Sequence, residues 1–180
     1  MKKLLVLLTL ASLSAVSYAQ SASDKPLYVE LGYSTLKIKD SDVPGLSFDN
    51  AVATGIVGYK FHPNLAGELF LATGVSDDSI TYLGQRITSE VKSSYGLFLK
   101  PTFMVTKQLE LFGRVGFTRS EVEYTVVTTR TSETETSFAY GAGLNYHVTD
   151  TVYGQAAYMS YYDKNGTDAR GLLLGIGIKF

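Results

Sequence analysis

The 180-residue chain has no cysteine, which excludes a disulfide-stapled framework. Tryptophan is also absent, and proline occurs only 4 times. Beyond the first 19 residues, no stretch is long enough or apolar enough for a membrane helix, which needs ~20 apolar residues. There is no basic excess either. Removing Lys2 and Lys3 from the 16 Lys and Arg leaves 14 against 17 Asp and Glu, so nothing in the charge balance would recruit nucleic acid. What is present instead is 17 Gly, 13 Tyr and 9 Phe. That mixture favours strands, close backbone approach and interfacial aromatics over helices.

The chain opens MKKLLVLLTLASLSAVSYAQ. Lys2 and Lys3 form a positive region, Leu4 to Leu13 a short apolar stretch, and Ser17-Tyr18-Ala19 a small-residue cleavage site before Gln20. This is the layout of a secretory signal peptide over 1–19, leaving residues 20–180 as one domain.

From Leu27 onward the apolar residues recur with a period near two. Leu27, Val29, Leu31 and Tyr33 share a face opposite Tyr28, Glu30, Gly32 and Ser34. The same alternation runs through 53–61, 65–72, 91–100, 109–117, 140–146, 152–158 and 171–180. That makes eight strands; ten would fit if the connections were shorter. Short turns are expected at 62–64, 106–108 and 148–151. Longer, more polar connections are expected near 37–50, 74–89, 127–135 and 163–169. Such an alternation of connection lengths marks a membrane barrel with both ends of the chain in the periplasm.

The apolar face repeatedly ends in Tyr or Phe, as a girdle at a lipid boundary would. The other face mixes charge with glycine, which suits a crowded interior. The expectation is therefore an all-β, eight-stranded antiparallel transmembrane up-and-down β-barrel with its polar face inward. The competing reading is a soluble barrel with an apolar lumen. It would place Glu30, Lys60, Glu68, Lys92, Lys100, Glu110 and Arg114 in water and bury the tyrosines.

Leu174, Ile176, Ile178 and the aromatic Phe180 resemble the carboxy-terminal assembly signal of bacterial outer-membrane proteins, although position 178 is often aromatic in that family. The stretches VGYKFHPNLAGELFL, LELFGRVGF and YGAGLNYHVTDTVY are similar to hairpins of the OmpA transmembrane domain and the opacity-type porin family. The resemblance implies an address in the Gram-negative outer membrane, contact with its lipids and lipopolysaccharide, and insertion by the barrel assembly machinery. It also implies an interior ionic network in which Glu68 and Arg114 match, while Asn145 and Gln155 stand where the family can carry charge. The peptidoglycan-binding domain of OmpA is not matched, so anchoring to the cell wall is not carried over.

The seven inward charges are expected to plug the barrel, because eight strands enclose a space that side chains fill. The alternative is a narrow ion-conducting porin lined by Glu30, Glu68, Lys100 and Arg114. A lipid A-modifying enzyme is the third reading, but His62 and His147 fall at short turns and no motif supplies a base-activated nucleophile. No catalytic residue, cofactor or metal is assigned. The loop acids Asp40, Asp42, Asp77, Asp78, Asp163 and Asp168 read as solvated turns. DKNGTD reads as a hairpin rather than a calcium loop. The segment EVEYTVVTTRTSETETSFAY is rich in β-branched residues, so its two strands are expected to run past the membrane surface and offer edges to an extracellular or host-surface ligand. The functional expectation is a monomeric barrel serving envelope integrity or surface interaction.

Overall fold

The computed structural model describes residues 25–40, 47–76, 78–82, 85–126, 129–164 and 167–180. The expected signal peptide, Asp42, Asp77 and the Asn165-Gly166 turn lie outside these residues. Nine strands follow one another: β1 Leu27–Asp40, β2 Ser47–His62, β3 Leu65–Ser76, β4 Asp78–Tyr82, β5 Gln85–Met104, β6 Leu109–Val126, β7 Thr129–His147, β8 Val152–Lys164 and β9 Thr167–Lys179. All pairings are antiparallel. Eight strands close into a ring, because β3 pairs with both β2 and β5 while β9 pairs with β1. The ninth, β4, is a five-residue extension that pairs only with the start of β5.

The short turns fall where expected. Pro63 and Asn64 join β2 to β3, and residues 105–108 and 148–151 make the other two. Each of the latter two is stapled by a threonine: Thr106 Oγ1 accepts from the Leu109 amide and Thr149 Oγ1 from the Val152 amide, both at 2.9 Å. The opposite end differs from expectation. Residues given to long loops are largely strand: β5 begins at Gln85, β7 at Thr129 and β9 at Thr167. Threonine and valine are poor loop formers and good strand formers, so the ladder continues through them.

The inside-out arrangement holds across the lipid-facing band. Leu97, Leu111 and Ile176 are 68%, 44% and 60% exposed on the outer surface, whereas Arg114 is 1% exposed inside. The outward apolar positions form a belt. Tyr33, Tyr95, Phe117, Phe138, Tyr140 and Tyr158 bound it on one side, and Tyr59, Phe61, Phe103 and Tyr146 on the side of the short turns. Phe117 and Phe138 meet edge-on across β6 and β7 with centroids 5.6 Å apart. Each strand contributes four or five outward positions, and at ~6.8 Å per pair of residues with a tilt near 40° this makes a band roughly 25 Å tall.

Candidate functional site: the barrel interior

The inward side chains form layers along the barrel axis. The seven charges read from the sequence as one network separate into three groups. At the centre are Glu30 from β1, Glu68 from β3, Lys100 from β5 and Arg114 from β6, all 1–3% exposed. Arg114 donates from Nε to Glu68 Oε2 at 2.5 Å and from Nη2 to Glu68 Oε1 at 2.9 Å, gripping that carboxylate with two bonds. Its Nη2 also reaches Glu30 Oε2 at 2.6 Å, and Nη1 reaches Gln155 Oε1 at 3.3 Å. Lys100 Nζ lies 2.6 Å from Glu30 Oε1 and 3.3 Å from Glu68 Oε1. Two cations thus face two carboxylates and the cluster is neutral, which is what burial of charge requires.

Two tyrosines complete the centre. Tyr28 donates its hydroxyl to Glu68 Oε1 at 2.8 Å, and Tyr153 donates to Glu30 Oε1 at 2.7 Å. Both rings lie flat against the wall because a glycine on the neighbouring strand leaves room. A Cβ on Gly58 would clash with the phenol end of Tyr28, and one on Gly177 with that of Tyr153. Phe112 adds its ring face, 4.5 Å from Lys100 Nζ and 4.9 Å from Arg114 Cζ. The sequence places Tyr28, Tyr153 and Phe112 on the inward face without assigning them to the network. The flanking glycines are the signal that points to flat-lying rings. Of the two positions where the family can carry charge, Gln155 contacts Arg114, and Asn145 Oδ1 lies 3.4 Å from Gln155 Nε2.

The second group sits at the short-turn mouth. Glu110 is 3.6 Å from Lys60 Nζ and 2.9 Å from His147 Nε2. His147 therefore meets a carboxylate and the edge of Tyr153, with centroids 5.3 Å apart, rather than a serine hydroxyl. His62 lies in the exposed turn, where its Nδ1 accepts from the Asn64 amide at 3.3 Å. Among the described residues, no group of three or more His, Cys, Asp or Glu could hold a metal ion. The third is not inward as expected: β5 shifts register between Val91 and Ser93, which puts Val91 in the core and turns Lys92 to the other face, 3.4 Å from Glu123 Oε1 near the opposite end.

Between the centre and that far end the lumen is mainly apolar, which the alternation alone does not indicate. Ile56, Phe70, Phe98, Met159, Tyr161 and Leu173 pack there, with Leu36, Ile38, Val52 and Val91 above them. Phe70 meets Phe98 edge-on at 5.8 Å and Tyr161 at 5.7 Å.

Leu174, Ile176, Ile178 and Phe180 line the outer face of β9, 39–60% exposed. They lie along the seam that closes the ring. Leu174 is opposite Tyr33, Ile176 opposite Leu31 and Ile178 opposite Val29, and the Phe180 amide donates to the Leu27 carbonyl at 2.8 Å.

Comparison with solved structures gives the same architecture. The attachment invasion locus protein Ail of Yersinia pestis superposes with a TM-score of 0.64 at 16% identity, over 87% of this chain and all of that one. Neisserial surface protein A gives 0.67 at 15% identity, over 91% and 100%. The N-terminal β-barrel domain of Pseudomonas aeruginosa OprF gives 0.58 at 15% identity, over 85% and 97%. At these identities the likeness is one of fold. No curated protein matches in sequence. The profile of the outer membrane protein beta-barrel domain, however, matches residues 5–180, and with the lipid-facing belt and closed ring already described, the chain belongs to that family.

Proposed function

We propose that this barrel is exported in a Gram-negative cell with residues 1–19 as a cleaved signal peptide. It works in the outer membrane as a monomeric, non-catalytic protein of envelope integrity and surface interaction. The observation that carries the second role is the length of β5, β6 and β7, which have 20, 18 and 19 residues. At ~3.3 Å per residue and a tilt near 40°, such strands rise roughly 45–50 Å, about twice the lipid-facing band. Since the short turns mark the periplasmic side, the surplus projects outward as a sheet. Arg119, Thr134 and Thr136 on its outer face are exposed. The sheet can pair or contact a partner beyond the membrane. One protein of the same fold supports this reading: Ail is an attachment invasion locus protein, and it has been solved in complex with the heparin analogue sucrose octasulfate. Outer-membrane lipids and lipopolysaccharide meet the apolar belt and its outer rim. The outer face of β9, from Leu174 to Phe180, serves as the assembly signal.

Removing residues 127–135 tests the surface role. Cells carrying the shortened protein should lose binding to host cells or immobilised sulfated glycan, while the barrel keeps its shift in gel mobility on boiling. Undiminished binding would overturn the role.

The central ions act as a plug rather than an ion path. Arg114 and Lys100 are closed over by Phe112, Tyr28 and Tyr153, and the layer above them is packed mainly by aromatic and aliphatic side chains. Planar-bilayer recordings are expected to show no large steady conductance, and observing one would refute the plug.

A further inference from the structure

The apolar layer does not fill the outer half of the lumen. A cavity of about 130 Å³ remains there, bounded by Leu36, Ile38, Val52, Phe70 and Tyr161. Beneath it the packed Phe70 and Phe98 rings and the Arg114 cluster close the barrel. Glu135 and Thr167 line its outer edge, so it is a blind cup facing outward. A register shift in β8 between Ser160 and Tyr162 shapes one wall. It brings Tyr161 and Tyr162, consecutive residues, onto the same cavity, where an unbroken strand would send one of them outward.

The polar atoms of the cup are unequally satisfied. Ser94 and Ser120 share a hydrogen bond at 2.8 Å. The Tyr161 side chain is 7% exposed, and its hydroxyl has no hydrogen-bond partner. Ser34 Oγ is likewise buried without a partner. A buried hydroxyl left in that state costs free energy that a ligand atom would recover. Against the Leu36, Ile38, Val52 and Phe70 wall water finds few of the two to four polar partners that it needs, whereas an apolar cavity of ~150 Å³ takes benzene.

We propose that this cup binds a small, mainly apolar molecule about the size of one aromatic ring, carrying a single hydroxyl or carbonyl that bonds the Tyr161 hydroxyl. The ring would pack on Phe70, Leu36, Ile38 and Val52. The polar group distinguishes this site from the lipid outside, which would take up any apolar solute.

The test uses the full barrel, methyl-labelled, in phosphatidylcholine nanodiscs, with p-cresol and toluene as probes. p-Cresol should shift the methyl signals of Leu36, Ile38 and Val52 saturably, whereas those of Leu97 and Ile176, which face lipid, should drift without saturating as the probe enters the bilayer. Tyr161→Phe should weaken p-cresol several-fold and leave toluene unchanged. Ala169→Phe, which fills the cup, should abolish the response to both. Each variant must keep its heat-modifiable mobility. Shifts confined to Leu97 and Ile176, equal responses in the Ala169→Phe variant, or a p-cresol affinity untouched by Tyr161→Phe would each overturn the proposal.

Discussion

Arg114 shows what one residue does in this interior. It is fully enclosed and holds two carboxylates that have only Lys100 as a second counter-ion. Arg114→Met keeps much of the volume but leaves the pair of carboxylates with a single cation. Breaking a buried ion cluster in this way costs about 3–5 kcal/mol, read as a lower urea midpoint for the mobility shift in lipid. Glu68→Gln combined with Arg114→Met removes charge of both signs and should recover a large part of the loss; simple addition of the two single effects would show that the cluster does not act as a unit. The alternation of the sequence placed all these charges inside. It could not say who pairs with whom, because Arg114 lies 46 positions from Glu68 and 84 from Glu30, and Lys100 lies 70 from Glu30. Those pairings follow from the closure of the ring and the stagger of its strands, neither of which is a local property.

Within a single strand, the meaning of the alternation changes along its length. In β1, Leu27, Leu31 and Tyr33 face out and Glu30 faces in; a few residues on, Leu36 and Ile38 face in and Lys37 and Lys39 face out. The first half is built for lipid and the second for water, so the barrel beyond the membrane has the apolar interior of a soluble one. Both patterns have period two, which is why eight strands and most of their faces were legible in the sequence while the change of sign, and the bulge that reverses Val91 and Lys92, were not. The expected loops at 74–89 and 127–135 differ from the structure for a related reason: polar, β-branched runs suggest solvated loops, yet their described residues largely pair as strand. The boundary between the two regimes can be measured by placing one substitution on each side of it. Leu99→Arg, at an outward position in the belt on β5, should destabilise by ~2–4 kcal/mol. Thr134→Arg, outward on β7 and opposite Glu121, lies beyond the belt and should change stability by no more than ~0.5 kcal/mol. Equal effects of the two in lipid-based unfolding would mean that the belt ends elsewhere.

At the scale of the whole molecule, stability without disulfides rests on having no sheet edge in the hydrocarbon, since every strand there finds a partner on each side. The last pairing to form in sequence order is β9 with β1, a ladder from Tyr28–Lys179 to Asp40–Thr167. Its outward side chains, Leu174, Ile176, Ile178 and Phe180, contribute little to the packed interior, because they point at lipid. This separates two roles that a substitution can otherwise confuse. If the outer face of β9 is read by assembly machinery, Phe180→Ala should lower the amount of heat-modifiable barrel recovered from outer membranes. The same variant refolded into lipid should be nearly as stable as the native chain, within ~0.5 kcal/mol, as expected for a substitution outside the core. A matched loss in both assays would instead assign Phe180 to the stability of the closing seam, where its amide already bonds the Leu27 carbonyl. No loss in either would remove this face of β9 from the assembly signal.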